Sequence, residues 1–135
     1  MESRKGFTLS ELMVVILIIG ILAAAVVPIY RGRIDSAKWS EGKTAMGTIA
    51  ESLRMYAAEK GEGGNYGNNL PTFLELGFTA GDLQGVYFDV SNYEVGKVSY
   101  KKDKLKSKIK ATAPAGITGP SEITLNENGD WKEKK

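Results

Sequence analysis

From Leu12 to Ile29 the chain carries no charged side chain and almost nothing polar. As a helix this run spans roughly 27 Å, close to the hydrocarbon thickness of a bilayer. It is apolar around its whole circumference, so it either crosses a membrane or must be covered on every side by something equally apolar. Arg4 and Lys5 precede it and favour a cytoplasmic N-terminus, with the chain beyond the run on the outside. Glu11 stands at the edge of the run. A carboxylate carried toward the middle of a membrane costs about 3 kcal/mol and is tolerated mainly when it is paired.

Downstream the helical pattern continues. Between Phe7 and about Lys60 the only turn signals are Pro28 and scattered glycines, which predicts one very long helix. Thr8 to Lys60 would reach roughly 80 Å, longer than a small head can cover. Met46, Ile49, Leu53 and Tyr56 fall on one helical face, expected to pack on the head's own sheet. Gly61, Gly63 and Gly64 end the helix. Glu62–Asn69 reads as a loop, and Pro71–Gly77 as one or two helical turns opened by proline. Strands are expected at Val86–Val90, Tyr93–Lys101, Lys104–Ala113 and Glu122–Asn126. Asn128-Gly129 signals a two-residue hairpin leading to a last short strand around Trp131. The turns are too short for crossovers, so pairing should be antiparallel. The expected fold is α+β, a helix spine on a sheet of about four strands. Its parts are a polar leader (1–6), an apolar helix (7–30) and a head (31–135), the last divided into helix 31–60, loop 61–84 and sheet 85–135.

Composition closes off several chemistries. The chain has no cysteine and no histidine, which removes disulfides, thiol nucleophiles and the commonest metal ligand. A formal charge of +2 is too small to argue for nucleic acid by itself. There is no nucleophile–base pair, phosphate-cradling glycine motif or carboxylate dyad. No enzymatic activity, cofactor or metal is therefore expected. Asn126, Asn128 and Asp130 suggest a calcium loop only incompletely, and a hairpin turn explains the same residues.

Taken together, Gly6-Phe7-Thr8-Leu9-Ser10-Glu11-Leu12, Met13-Val14-Val15-Ile16, Ile18 to Ala24, and Pro28 with Tyr30 resemble the N-terminus of type IV pilins and pseudopilins. The match covers roughly residues 4–30; beyond residue 60 only the architecture agrees. The resemblance implies that a membrane-embedded leader peptidase cuts between Gly6 and Phe7 and that the new amino group of Phe7 is N-methylated. It implies that Glu11 pairs with that amino group during docking into a homopolymeric filament, and that the segment from Gly20 to Pro28 can lose helical hydrogen bonds there. It further implies a life in the inner membrane, among lipid and the pilus assembly machinery, before export into an extracellular filament. The pairing is physically reasonable, since an ammonium and a carboxylate in apolar surroundings offset each other's desolvation.

Other readings of the same residues stand beside this one. A signal peptide cut after Ala25, or an uncut signal anchor, explains the apolar run but neither Glu11 nor the Gly6-Phe7 junction. Lys104, Lys106, Lys108 and Lys110 alternate with Leu105, Ser107, Ile109 and Ala111, placing four ammoniums on one strand face. That face reads either as a contact for DNA, anionic surfaces or an acidic patch on a neighbouring subunit, or as a solvated outer face guarded by lysine. The expected function is the main subunit of a type IV pilus. The alternatives are a pseudopilin of a type II secretion or competence filament and, from a different class, a membrane-anchored monomeric binding protein. Unlike many pilins, this chain cannot close its C-terminal segment with a disulfide, and Trp131 is expected to secure it by packing on the sheet.

Overall fold

Leu9 to Lys60 form one helix, α1, in the computed structural model, which describes residues 6–67 and 70–135. Most of the expected leader, Met1–Lys5 with Arg4 and Lys5, and the Asn68–Asn69 end of the loop lie outside the described residues. Two compact units divide within α1, between Ile34 and Asp35. In the first, helix runs uninterrupted through Gly20 and Pro28, and every side chain from Leu12 to Ile29 is exposed.

The second unit has its own core. On α1 the buried face is Trp39, Met46, Ile49, Leu53 and Tyr56. It thus begins earlier than the expected stripe, at Trp39. The chain then forms strands β1 (Tyr93–Val95), β2 (Ser99–Lys101), β3 (Lys104–Lys106), β4 (Lys108–Thr112), β5 (Glu122–Asn126) and β6 (Trp131–Lys134). An antiparallel sheet runs in the order β1-β4-β5-β6, and β2 with β3 forms a separate two-stranded sheet. The register pairs Ile109 with Leu125 and Ala111 with Ile123, so these apolar residues share one face. They join the α1 stripe, Phe88 and Val98 in a single core. This is the α+β architecture expected from the sequence.

Local details depart from expectation for identifiable reasons. Val86–Val90 is not a strand: its backbone finds a partner in a side chain instead of a ladder. Glu41 Oε1, on α1, accepts the N–H groups of Tyr87 and Phe88, both at 2.9 Å. Tyr93–Lys101 is two strands, broken between Val95 and Ser99 as the chain leaves one sheet for the other. Lys104–Ala113 likewise breaks at buried Ser107, so Lys104 and Lys106 belong to the small sheet and Lys108 and Lys110 to the large one. The four lysines do not share a single strand, and β4 is an interior strand with no free edge to guard. Pro71–Gly77 is a hydrogen-bonded turn opened by Thr72 rather than Pro71. Glu75 Oε2 takes the Thr72 N–H at 2.8 Å, and Leu76 N–H reaches Thr72 O at 3.1 Å. The β5–β6 connection is longer than a two-residue hairpin, with Asn126 N–H on Asp130 O at 3.2 Å and Gly129 N–H on Asn126 O at 3.2 Å.

The Glu41 contact makes a testable claim on stability. Its carboxyl is held below its ordinary value of 4.5, first by the N–H of Phe88; burial opposes this as the next largest effect, and the N–H groups of Tyr87 and Val86 add to the lowering. A depressed carboxyl contributes stability above its unfolded pKa, and that contribution is lost as pH falls through the folded pKa. Glu41→Gln should therefore lower stability at neutral pH by roughly 1–2 kcal/mol, the modest end for a charge-assisted bond that still meets solvent. The loss should shrink below about pH 4. Denaturant titrations at pH 7 and pH 3.5 check this, and an equal loss at both would refute it.

Candidate assembly site

Gly6 and Phe7 precede the helix, and Phe7 is 84% exposed. The peptide bond between them lies in non-helical chain, immediately upstream of α1 and open to attack. Thr8 caps the helix. Its Oγ1 accepts the Glu11 N–H at 3.2 Å, and Glu11 Oε2 reaches back to the Thr8 N–H at 2.7 Å. Thr8 Oγ1 also donates to Glu11 Oε2 at 2.9 Å. This reciprocal pair is a capping box, and it satisfies helix-terminal donors that would otherwise lack a partner. Thr8 was not among the residues singled out from the sequence, although Thr-x-x-Glu before an apolar run is the signature of such a box.

In this chain Glu11 is thus occupied by its own backbone. Phe7 carries a peptide nitrogen here, not the ammonium that cleavage would create. A Cβ added at Gly20 would meet nothing within 4 Å beyond its own helical turn among the described residues. Pro28 sits inside the helix, where it cannot donate to the Ala24 carbonyl. By length and composition the apolar half of α1 is able to cross a membrane.

The remaining expected sites lie in the second unit. Lys104, Lys106 and Lys108 are exposed, while Lys110 is half-buried between Glu94 at 2.5 Å and Glu122 at 4.0 Å. The hydrogen bond that Lys110 donates to the Glu94 carboxylate is the first cause of its raised pKa. Asn126 Oδ1 accepts the N–H groups of Asn128 (3.1 Å) and Asp130 (2.9 Å), so the residues of the suspected calcium loop are used by the turn. Trp131 is 40% exposed on edge strand β6, opposite Leu125, so it does not bury itself on the sheet as expected; Lys43 Nζ lies 5.7 Å from its ring. Lys43 also bonds Glu133 at 3.2 Å, so the last strand is tied to the helix without a disulfide. Upstream, Asp35 accepts both the N–H (3.2 Å) and the hydroxyl of Thr118, tying the loop before β5 to the same helix.

Comparison with known proteins adds an independent observation. The family model for the prokaryotic N-terminal methylation motif matches residues 1–27. A fimbrial protein of Moraxella nonliquefaciens is 35% identical over 132 residues, covering 81% of this chain and 84% of that protein. A type IV major fimbrial protein FimA of Dichelobacter nodosus is 37% identical over 116 residues, covering 84% of this chain and 62% of that protein. Type II secretion system core protein G of Pseudomonas aeruginosa is 51% identical over 55 residues, covering 41% of this chain and 39% of that protein. No solved structure matches the chain.

Proposed function

Because the chain belongs to the type IV pilin family, we propose that it is the structural subunit of a type IV pilus, assembled by bundling the apolar half of α1. The observation that carries this reading is a helix whose side chains from Leu12 to Ile29 are all exposed, with a carboxylate poised at its start. Such a surface is compatible with lipid before assembly and with identical helices afterwards. In this reading a leader peptidase cuts between Gly6 and Phe7, and the new Phe7 amino group is methylated. The assembly machinery of the inner membrane then transfers the subunit from lipid to filament. Glu11 leaves Thr8 to pair with the Phe7 ammonium, an exchange that gains most once water is excluded. The segment from Gly20 to Pro28 is then free to extend, because Pro28 already lacks one helical bond and glycine is costly inside a helix.

Similarity to a type II secretion core protein supports a second reading, a pseudopilin that remains in the envelope. Intact mass of the protein in sheared surface material and in membranes separates the two. An abundant surface species lacking residues 1–6 and carrying an added methyl group is expected for a major pilin. Confinement of that species to the membrane favours the pseudopilin, and an uncut chain or a cut after Ala25 overturns both.

A further inference from the structure

Charge is strongly segregated along the head. From Gly61 to Gly96 the chain carries Glu62, Glu75, Asp82, Asp89 and Glu94 but no lysine or arginine. From Lys97 to Lys110 every charged residue except Asp103 is lysine. The structure cancels these runs against each other at a single ion pair among the described residues, Lys110 on Glu94, which joins β4 to β1. Among the described residues, Lys110 is the one lysine of the basic run with an ion pair. The exposed ammoniums of Lys101, Lys102, Lys104 and Lys106 crowd the β2–β3 hairpin without a carboxylate partner.

That hairpin is a defined element. Its turn, Lys102-Asp103, has φ of 50° and 57°, the left-handed pair that matches strand twist in a two-residue connection. The Lys102 N–H is held by Glu62 Oε1 at 3.0 Å, and Tyr100 stacks on Tyr66 with ring centroids 5.8 Å apart. Side chains alternate along β3, so Lys104 and Lys106 project from the same face, roughly 7 Å apart.

The acidic run is equally fixed. Glu75, Asp82 and Asp89 each accept a backbone N–H, from Thr72 (2.8 Å), Thr79 (2.6 Å) and Ser91 (2.7 Å). None of the three has a cationic partner among the described residues. In the same stretch of chain Leu74 and Val86 are exposed to 76% and 83%, and Val90 to 49%. Beside edge strand β1 lie two hollows of about 320 Å³ that share Tyr93, one containing Glu94 and the other Glu41 and Asp82. Apolar side chains within a charged rim are the composition of a protein contact.

We propose that the basic β2–β3 hairpin of one subunit docks on the acidic 72–94 segment of another copy of this chain. The proposal rests on the filament reading above. Unlike patches meeting head to tail make a heterologous contact, which propagates through an open helical assembly rather than closing into a dimer. Opposite charge selects this register and disfavours like-on-like packing.

The test is a charge swap in the full-length chain, scored as sedimentable filament per unit of membrane-inserted subunit. Lys101→Glu, Lys104→Glu and Lys106→Glu together should lower the yield about tenfold or more, a loss typical of like-charge juxtaposition. Leu74→Lys, Val86→Lys and Val90→Lys should do the same while leaving the capping carboxylates in place. Combining both sets should recover part of the yield lost by the hairpin variant, because the added lysines then face the added glutamates on a segment that still keeps its own carboxylates. Lys132→Glu with Lys134→Glu, on β6, controls for net charge and should leave the yield within about twofold. Unchanged yield in the hairpin variant, or no recovery in the combination, overturns the contact. Loss of duplex-DNA retention with assembly intact overturns it too and assigns the hairpin to nucleic acid. Wild-type chain that forms no filament removes the filament reading and this contact together, whereas wild-type filaments indifferent to the swap remove the contact alone.

Discussion

Glu11→Leu should be inserted and trimmed like the parent chain, yet yield about a hundredfold less filament or lower, because losing one partner of a buried ion pair costs about 3–5 kcal/mol. In the isolated chain Glu11 is content, bonded to the Thr8 N–H and hydroxyl. That contact lies at an exposed helix start, where its net worth is small. The proposed filament contact lies where water is excluded and where an unpaired Phe7 ammonium would remain if the carboxylate were gone. The two losses are therefore unequal, and Thr8→Val separates them. It removes the cap, worth about 1 kcal/mol, while leaving the carboxylate free to pair, so its yield should fall by no more than about fivefold. Immunoblots of sheared and membrane fractions read both variants. Parental yield from Glu11→Leu would rule out the pairing, and equal loss in Thr8→Val would place the role of Glu11 in the helix start.

Phe88→Ala is expected to lower the stability of the head by about 3–5 kcal/mol, a large part of what a domain of this size possesses. Phe88 is 1% exposed, its ring centroid 5.0 Å from that of Trp39 and 6.1 Å from that of Tyr93. It occupies space that Gly42 leaves on α1, where an added Cβ would come within 3.0 Å of the ring. Burial has also pushed the Tyr93 hydroxyl up to about 12, as expected of a phenol kept from water beside this cluster. Guanidinium titration of the full chain in detergent, followed by tryptophan fluorescence, measures the change. Gly42→Ala should cost about 1–3 kcal/mol alone and clearly less in a Phe88→Leu background, where the ring no longer fills the space. Additive losses would show that ring and glycine do not share one cavity.

Much of this architecture is written in periodicities. The apolar run, the helical spacing from Met46 to Tyr56 and the alternation from Lys104 to Ala111 each depend on neighbours in sequence, and each reappears in the burial pattern. What sequence patterns miss is decided at a distance. Val86–Val90 has the composition of a strand, but Glu41 satisfies its backbone from far along the chain. Ser107 looks like one more alternating residue, yet it is buried where two sheets part. At the assembly site the position of Glu11 was legible because the motif is local. Thr8 is equally legible, since the Thr-x-x-Glu capping signature is just as local. The Phe7 ammonium proposed as its partner would exist only after cleavage, so no pattern of the uncut chain displays it.

Gly85 and Glu41 carry a consequence for how this chain can vary. A Cβ at residue 85 would fall 2.0 Å from Glu41 Oε1. Any larger residue there would expel the carboxylate, and once it is expelled Glu41 has no remaining bond to lose. The two positions are thus coupled, since Glu41 reaches the Tyr87 and Phe88 N–H groups only while residue 85 lacks a Cβ. Mutation at either makes the other nearly neutral, and a lineage that has lost the first has little to restrain loss of the second. Restoring the glycine alone would then not restore the latch, so the path back requires two changes while the path away requires one.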